Sequence, residues 1–202
     1  MDVTYATYAL AYRFGIVPWE RYGRFAAARI GALLDREAAE RPRPLGRAID
    51  LGCGRGPVTR EVAQRGWEVV GIDNAPRAID AAKRLGVPGA TFVLGDVTDL
   101  DPATLGTFDF LLDIGCFQAL TDAERRAEGR SATAVANPGA TLLMLAFQPT
   151  KVRSMVGGVS RADVEVAFPG WEMLSVEPAE TAGLRWPLST TSPQWYRMRR
   201  SG

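Results

Sequence analysis

The sequence predicts an α/β fold, a mostly parallel sheet with helices on both faces. Three observations predict it. Short apolar runs alternate with helical patterns through the middle of the chain. The first run, Ala48-Ile-Asp-Leu-Gly-Cys-Gly-Arg-Gly56, ends in an acid and a glycine-rich turn. About twenty residues later a second run closes on Asp73, the spacing of an acid that accepts ribose hydroxyls.

From the N-terminus, Tyr5, Tyr8 and Tyr12 fall at helical spacing, which fits a capping helix, a lid or a helix on a membrane surface. Trp19 to Glu40 has the pattern of an amphipathic helix that packs on the core, and Arg41-Pro-Arg-Pro44 reads as a stiff, solvated linker. Residues 1–44 are therefore expected to form a helical cap or lid, and residues 45–202 the α/β domain. Strands are expected at Arg47–Leu51, Glu68–Asp73, Thr91–Leu94, Phe108–Asp113 and Ala140–Phe147. Between them, helical patterns cover Val58–Arg65, Pro76–Leu85, Pro102–Leu105 and Thr121–Ala136. Pro138-Gly139 reads as a break before the fifth strand. Ser160–Phe168 reads as a helix capped by Ser160 with Asp163 in its first turn. Trp171–Val176 and Gln194–Arg199 complete seven strands, and their closeness in sequence points to an antiparallel pair.

Composition narrows the chemistry. The chain has 202 residues, is 47% hydrophobic and carries a net charge of +1, so no strong field draws it to nucleic acid. No apolar run reaches the ~18 residues of a membrane span, and, without a basic region followed by an apolar core at the N-terminus, no secretory signal is expected. Its two cysteines, Cys53 and Cys116, offer neither a disulfide framework nor metal spacing, so no metal and a reducing cytoplasm are expected. There is no histidine, which removes imidazole bases, Ser-His-Asp triads and His-based metal sites.

The glycine spacing separates two ligand classes. Dinucleotide binders carry Gly-x-Gly-x-x-Gly, but counted from Gly52 the third glycine would fall at Pro57. Here it is Gly56, and Asp50 precedes the turn. With Asp50, Gly52, Gly54, Gly56 and Asp73, the stretch resembles the cofactor loop of class I S-adenosylmethionine-dependent methyltransferases. The resemblance covers about Leu45 to Arg200. It implies a Rossmann-like three-layer sandwich whose antiparallel last strand inserts between the fifth and sixth.

It also implies that S-adenosyl-L-methionine binds at Asp50, Gly52, Cys53, Gly54, Gly56, Asp73, Asn74, Asp96, Val97 and Asp113. Asp50 and the glycines would hold its amino-acid end, Asp73 its ribose, and Asp96 and Val97 its adenine. An Asx turn is the plain alternative for Asp96. The segment Asp113-Ile-Gly-Cys-Phe-Gln118 looks like that of small-molecule methyltransferases related to the thiopurine and tellurite-detoxifying groups. Those relatives often place His where Gln118 stands. Asp113 and Gln118 are the catalytic candidates; Trp19, Tyr22, Phe117 and Gln118 are candidates for the acceptor wall. Residues Lys151–Gly158 are expected to form a flap. Cys53 and Cys116 read as small packing residues, the alternative being a redox pair or a thiol close to the sulfonium. Glu124–Arg130 and the tail Arg197-Met-Arg-Arg200 read as solvated faces.

The expected activity is methyl transfer to a small aromatic or heterocyclic acceptor, at S, O or N, leaving S-adenosyl-L-homocysteine. A small molecule is the expected partner, with no nucleic acid, no membrane insertion and a monomer or homodimer. The alternatives are a non-catalytic cofactor-binding module and a nicotinamide-dependent oxidoreductase.

Overall fold

The computed structural model describes residues 26–149, 158–181 and 192–202. Among these, seven strands form one sheet: β1 (Arg47–Leu51), β2 (Glu68–Asp73), β3 (Ala90–Leu94), β4 (Phe108–Ile114), β5 (Ala136–Phe147), β6 (Trp171–Pro178) and β7 (Pro193–Arg200). The helices are α1 (Ala27–Ala39), α2 (Pro57–Gln64), α3 (Pro76–Lys83), α4 (Pro102–Leu105), α5 (Asp122–Val135) and α6 (Arg161–Ala167), with a 3₁₀ turn at Phe117–Ala119. The strand order is β3-β2-β1-β4-β5-β7-β6. Strands β1 to β5 pair in parallel, and β7 runs antiparallel between β5 and β6. The closing antiparallel pair and its inserted last strand are as expected from the sequence.

Alternation along the strands sorts the core into two layers. Ala48, Val69, Phe110, Leu112, Leu143 and Leu145 face α1 and α2, which answer with Ile30, Leu33, Leu34 and Val62. Ile49, Val70, Ile72, Leu111, Leu142 and Met144 face the other way, against Ala132 and Val135 of α5 and Val164 and Ala167 of α6. Both of these last helices start with a capping box, Thr121 with Glu124 and Ser160 with Asp163.

Four sequence readings are revised. Pro138-Gly139 does not precede β5 but lies within it. The register moves from Phe108↔Ala136 to Phe110↔Thr141, so the exposed dipeptide bulges outward and leaves the pairing intact on either side. Arg41 is not solvated linker: it donates to the Asp109 carbonyl at 2.7 Å and Thr141 Oγ1 at 2.8 Å and lies over the Trp67 ring. Arg197 is likewise engaged, pairing with Glu37 and Glu40 of the α1 end at 2.5 Å each. The Glu124–Arg130 run is not wholly solvated either, because Arg125 and Glu128 are buried. Of the expected Trp19–Glu40 helix, the described part from Ala27 packs on the sheet; the tyrosines before it lie outside the described residues.

Candidate functional site

Strand order reverses between β1 and β4: their chain connections leave to opposite sides of the sheet, opening a crevice at their carboxyl ends. Gly52 ends β1 with φ of 68°, and a Cβ there would stand 2.6 Å from Cys116 Cβ. The two loops therefore meet at one glycine, where any side chain would wedge them apart.

Asp50, Asp73 and Asp113 gather under this meeting point. Asp50 is buried and accepts from Thr59 Oγ1 of α2 at 2.5 Å. Burial pushes its pKa up to about 7, partly offset by Thr59 and reinforced by the charges of Asp113 and Asp73. Asp73 accepts from the Gly54 N–H at 2.9 Å and the Ala75 N–H at 2.8 Å, clasping the β1 loop to the end of β2. Its pKa is raised by burial, and these two N–H groups moderate the rise. Each oxygen retains a lone pair for a further donor.

Asp113, expected to face cofactor and acceptor, is fully buried. It accepts from the Cys116 N–H at 2.8 Å and the Phe117 N–H at 2.9 Å, so it orders the loop from beneath. Burial raises its pKa, while these N–H groups and Glu128 hold it down. Phe117, expected in the acceptor wall, is also fully buried and packs against Phe168 at 5.8 Å between centroids. It is a core residue because the 3₁₀ turn rolls it inward. Gly56, expected at the ligand, has a packing role too: a Cβ there would lie 2.7 Å from the Phe92 ring.

Gln118 stays at the rim, half-buried, with Oε1 accepting from the Phe147 N–H at 3.1 Å. Asn74 is exposed just past β2. Past β3, Asp96 is exposed and accepts from Thr98 N and Oγ1, each at 2.8 Å, in an Asx turn, and Val97 is buried beside it. Cys53 and Cys116 are free thiols, and burial raises the pKa of both. Cys53 Sγ would lie 3.0 Å from a Cβ on Gly71, whereas Cys116 packs on Gly52, so both read as small packing groups. A hollow of about 350 Å³ between Arg60 and Pro88 lies where α2 and α3 end, away from this crevice. Trp19, Tyr22 and residues 151–157 lie outside the described residues.

A family profile described as a methyltransferase domain matches residues 48–139, the stretch from β1 through the start of β5. Residues 48–139 thus resemble a methyltransferase domain. Among curated proteins, the 2-heptyl-1-hydroxyquinolin-4(1H)-one methyltransferase of Mycobacteroides abscessus is 30% identical over 66% of this chain and 62% of that protein. The chain thus spans less than two thirds of that relative, and 40% of a trans-aconitate 2-methyltransferase from Deinococcus radiodurans. In fold, it is similar to the 1,6-didemethyltoxoflavin-N1-methyltransferase of Burkholderia thailandensis, with a TM-score of 0.74 at 18% identity over 98% of this chain and 87% of that one.

Within this matched stretch, sequence reasoning missed Thr59, Arg125 and Glu128. Thr59 sits nine residues past Asp50, where the helix after the glycine turn first faces back to β1. Arg125 donates to the carbonyls of Phe117 and Gln118, each at 3.2 Å, and so ties the rim loop to α5. The signal was present: Arg125, Glu128, Ala132 and Val135 recur at helical spacing, and all four are buried.

Proposed function

We propose that this chain is an S-adenosyl-L-methionine-dependent methyltransferase acting on a small aromatic or heterocyclic molecule at S, O or N. The observation that carries this reading is the acidic cradle at the β1–β4 crevice. Asp50 and Asp73 are answered there by a hydroxyl and by backbone N–H groups. A negative, partly buried cradle suits a ligand with sulfonium and ammonium charges and repels a pyrophosphate. That argues against the nicotinamide reading on grounds independent of the Pro57 spacing. The M. abscessus relative, named for a hydroxyquinolone substrate, supports the heterocyclic acceptor class.

In this reading Asp50, Gly52, Cys53 and Gly54 border the amino-acid end of the cofactor. Asp73 and Asn74 take the ribose, and Asp96 and Val97 the adenine; Gly56 supports the loop through Phe92. S-adenosylmethionine, once bound, would supply an electrophilic methyl group for transfer to the acceptor. The chain's task is alignment, which can contribute roughly 7–11 kcal/mol. Gln118 presents its amide nitrogen to the acceptor, since its oxygen is held by Phe147. Asp113 positions that segment and does not take the acceptor proton. An acceptor that ionises near neutral pH needs no base, which fits a chain without histidine. The two free thiols suit a cytoplasmic protein.

Parallel calorimetric titration with S-adenosylmethionine, S-adenosylhomocysteine and NAD⁺ tests the reading. Micromolar binding of the adenosyl ligands alone is expected. Binding of NAD⁺ instead, or of none of the three, overturns it.

A further inference from the structure

Glu128 lies on the inner face of α5 and is fully buried. Neither of its carboxyl oxygens receives a hydrogen bond from an N–H or O–H donor of the described protein. An ionised carboxylate so placed would be strongly disfavoured. Facing it are the Asp113 carboxyl and the Cys116 sulfur, with one oxygen or sulfur of each residue within 4.8 Å of the others. Asp113 differs in having two backbone N–H donors, which favour its ionised form. Two buried carboxyls this close cannot both be charged, and one proton between them satisfies both.

The surrounding carboxylates agree. Asp96 past β3, Asp73 at the end of β2 and Asp50 at the end of β1 all add negative potential at the Asp113–Cys116–Glu128 group. From α6, Asp163 faces Arg125. Arg125 opposes them by favouring the charged form of Glu128, though its guanidinium is bonded to the carbonyls of Phe117 and Gln118 and to Asp122.

We propose that Glu128 is a positioning residue, a neutral carboxylic acid that shares its proton with the Asp113 carboxylate and so holds segment 115–118 against Gly52. The inference rests on the methyltransferase reading for its consequence: that segment carries Gln118 and walls the cofactor crevice. Loss of the proton to solvent at alkaline pH leaves two carboxylates, which repel and release the segment. Glu128→Gln keeps a donor toward Asp113; Glu128→Leu has none.

The test is S-adenosylhomocysteine affinity against pH for all three proteins, with infrared difference spectra of wild type and Glu128→Gln. Wild type is expected to lose affinity by about tenfold at alkaline pH, the scale of one buried hydrogen bond. Glu128→Gln should lack that alkaline fall and should bind better at neutral pH than Glu128→Leu. A carboxylic-acid C=O band present at neutral pH in wild type should vanish in Glu128→Gln. An unchanged alkaline fall in Glu128→Gln, or no such band, overturns the proposal. So does stabilisation of wild type by Zn²⁺ that a chelator reverses, since a cation would then take the place of the proton. If wild type binds no adenosyl ligand at any pH, the methyltransferase reading fails, yet the infrared band still decides the protonation of Glu128.

Discussion

Asp73 joins structure to the proposed ribose contact through one carboxylate. It already clasps Gly54 and Ala75, and any ribose hydroxyl would add to those bonds. Asp73→Ala is expected to weaken S-adenosylhomocysteine binding by roughly 1.5–3 kcal/mol, read by calorimetry. Unchanged affinity would remove the ribose assignment. Gly52→Ala combines a left-handed backbone with a clash at Cys116, so a loss of about 1–3 kcal/mol in denaturant unfolding is expected.

Asp50 makes a pH prediction. Its folded value of about 7 lies above the ordinary carboxylate value, so the native state holds the extra proton between roughly pH 4 and 7. Its contribution to stability therefore declines as pH rises through that window and levels off above it. A bound ammonium favours the ionised form, so adenosyl-ligand affinity should climb with pH up to about 7. Asp50→Asn should flatten that limb of the binding curve.

These residues also show where sequence reading stops. Asp50, Gly52 and Asp73 were legible because backbone geometry and strand ends fix their places. The inward turn of Phe117 was not, because the 3₁₀ turn after Gly115 depends on Asp113 capping two N–H groups from below.

Among the elements, α1 and α5 departed most from expectation. The charged residues of both helices were readable as solvent-facing, yet several are tied across the fold. Glu37 of α1 is buried, pairs with Arg197 of β7 and accepts from Thr141 Oγ1 of β5 at 2.8 Å. Arg36 donates to Glu177 of β6 at 3.0 Å, and Arg29 pairs with the same carboxylate. Such pairs join segments far apart in sequence, and no local pattern announces them. Removing one partner strands the other: Arg197→Ala should cost about 2–4 kcal/mol in chemical denaturation by leaving Glu37 buried without its main counter-charge. A loss below about 0.5 kcal/mol would mean that Arg41 alone suffices to neutralise Glu37. The strands, by contrast, were legible to within one or two residues apart from the start of β5. β1 and β2 are short apolar runs ended by glycine or an acid, and their neighbours on both faces demand apolar side chains.

For the molecule as a whole, the alternation of strand and helix was enough to give the sheet, and the closeness of β6 and β7 gave its antiparallel edge. The acceptor side was less legible, because its determinants come from loops whose pairing no periodicity encodes. Whole-molecule stability supplies a further check on ligand identity. S-adenosylhomocysteine at a hundred times its Kd should add about 2.7 kcal/mol to the unfolding free energy, and NAD⁺ at equal concentration should add nothing.

The touch between Gly52 and Cys116 carries a consequence for how the protein comes into being. β1 and β4 are neighbours in space, yet two strand–helix units and a short helix are synthesised between them. A growing chain that has emitted only the glycine turn owns half a crevice and no opposing wall. Ligand capture is thus deferred until the middle of the sequence has left the ribosome and inserted beside the first strand. Occupancy of the crevice then certifies that the sheet has closed across its switch point, with the small molecule serving as a witness to completed folding.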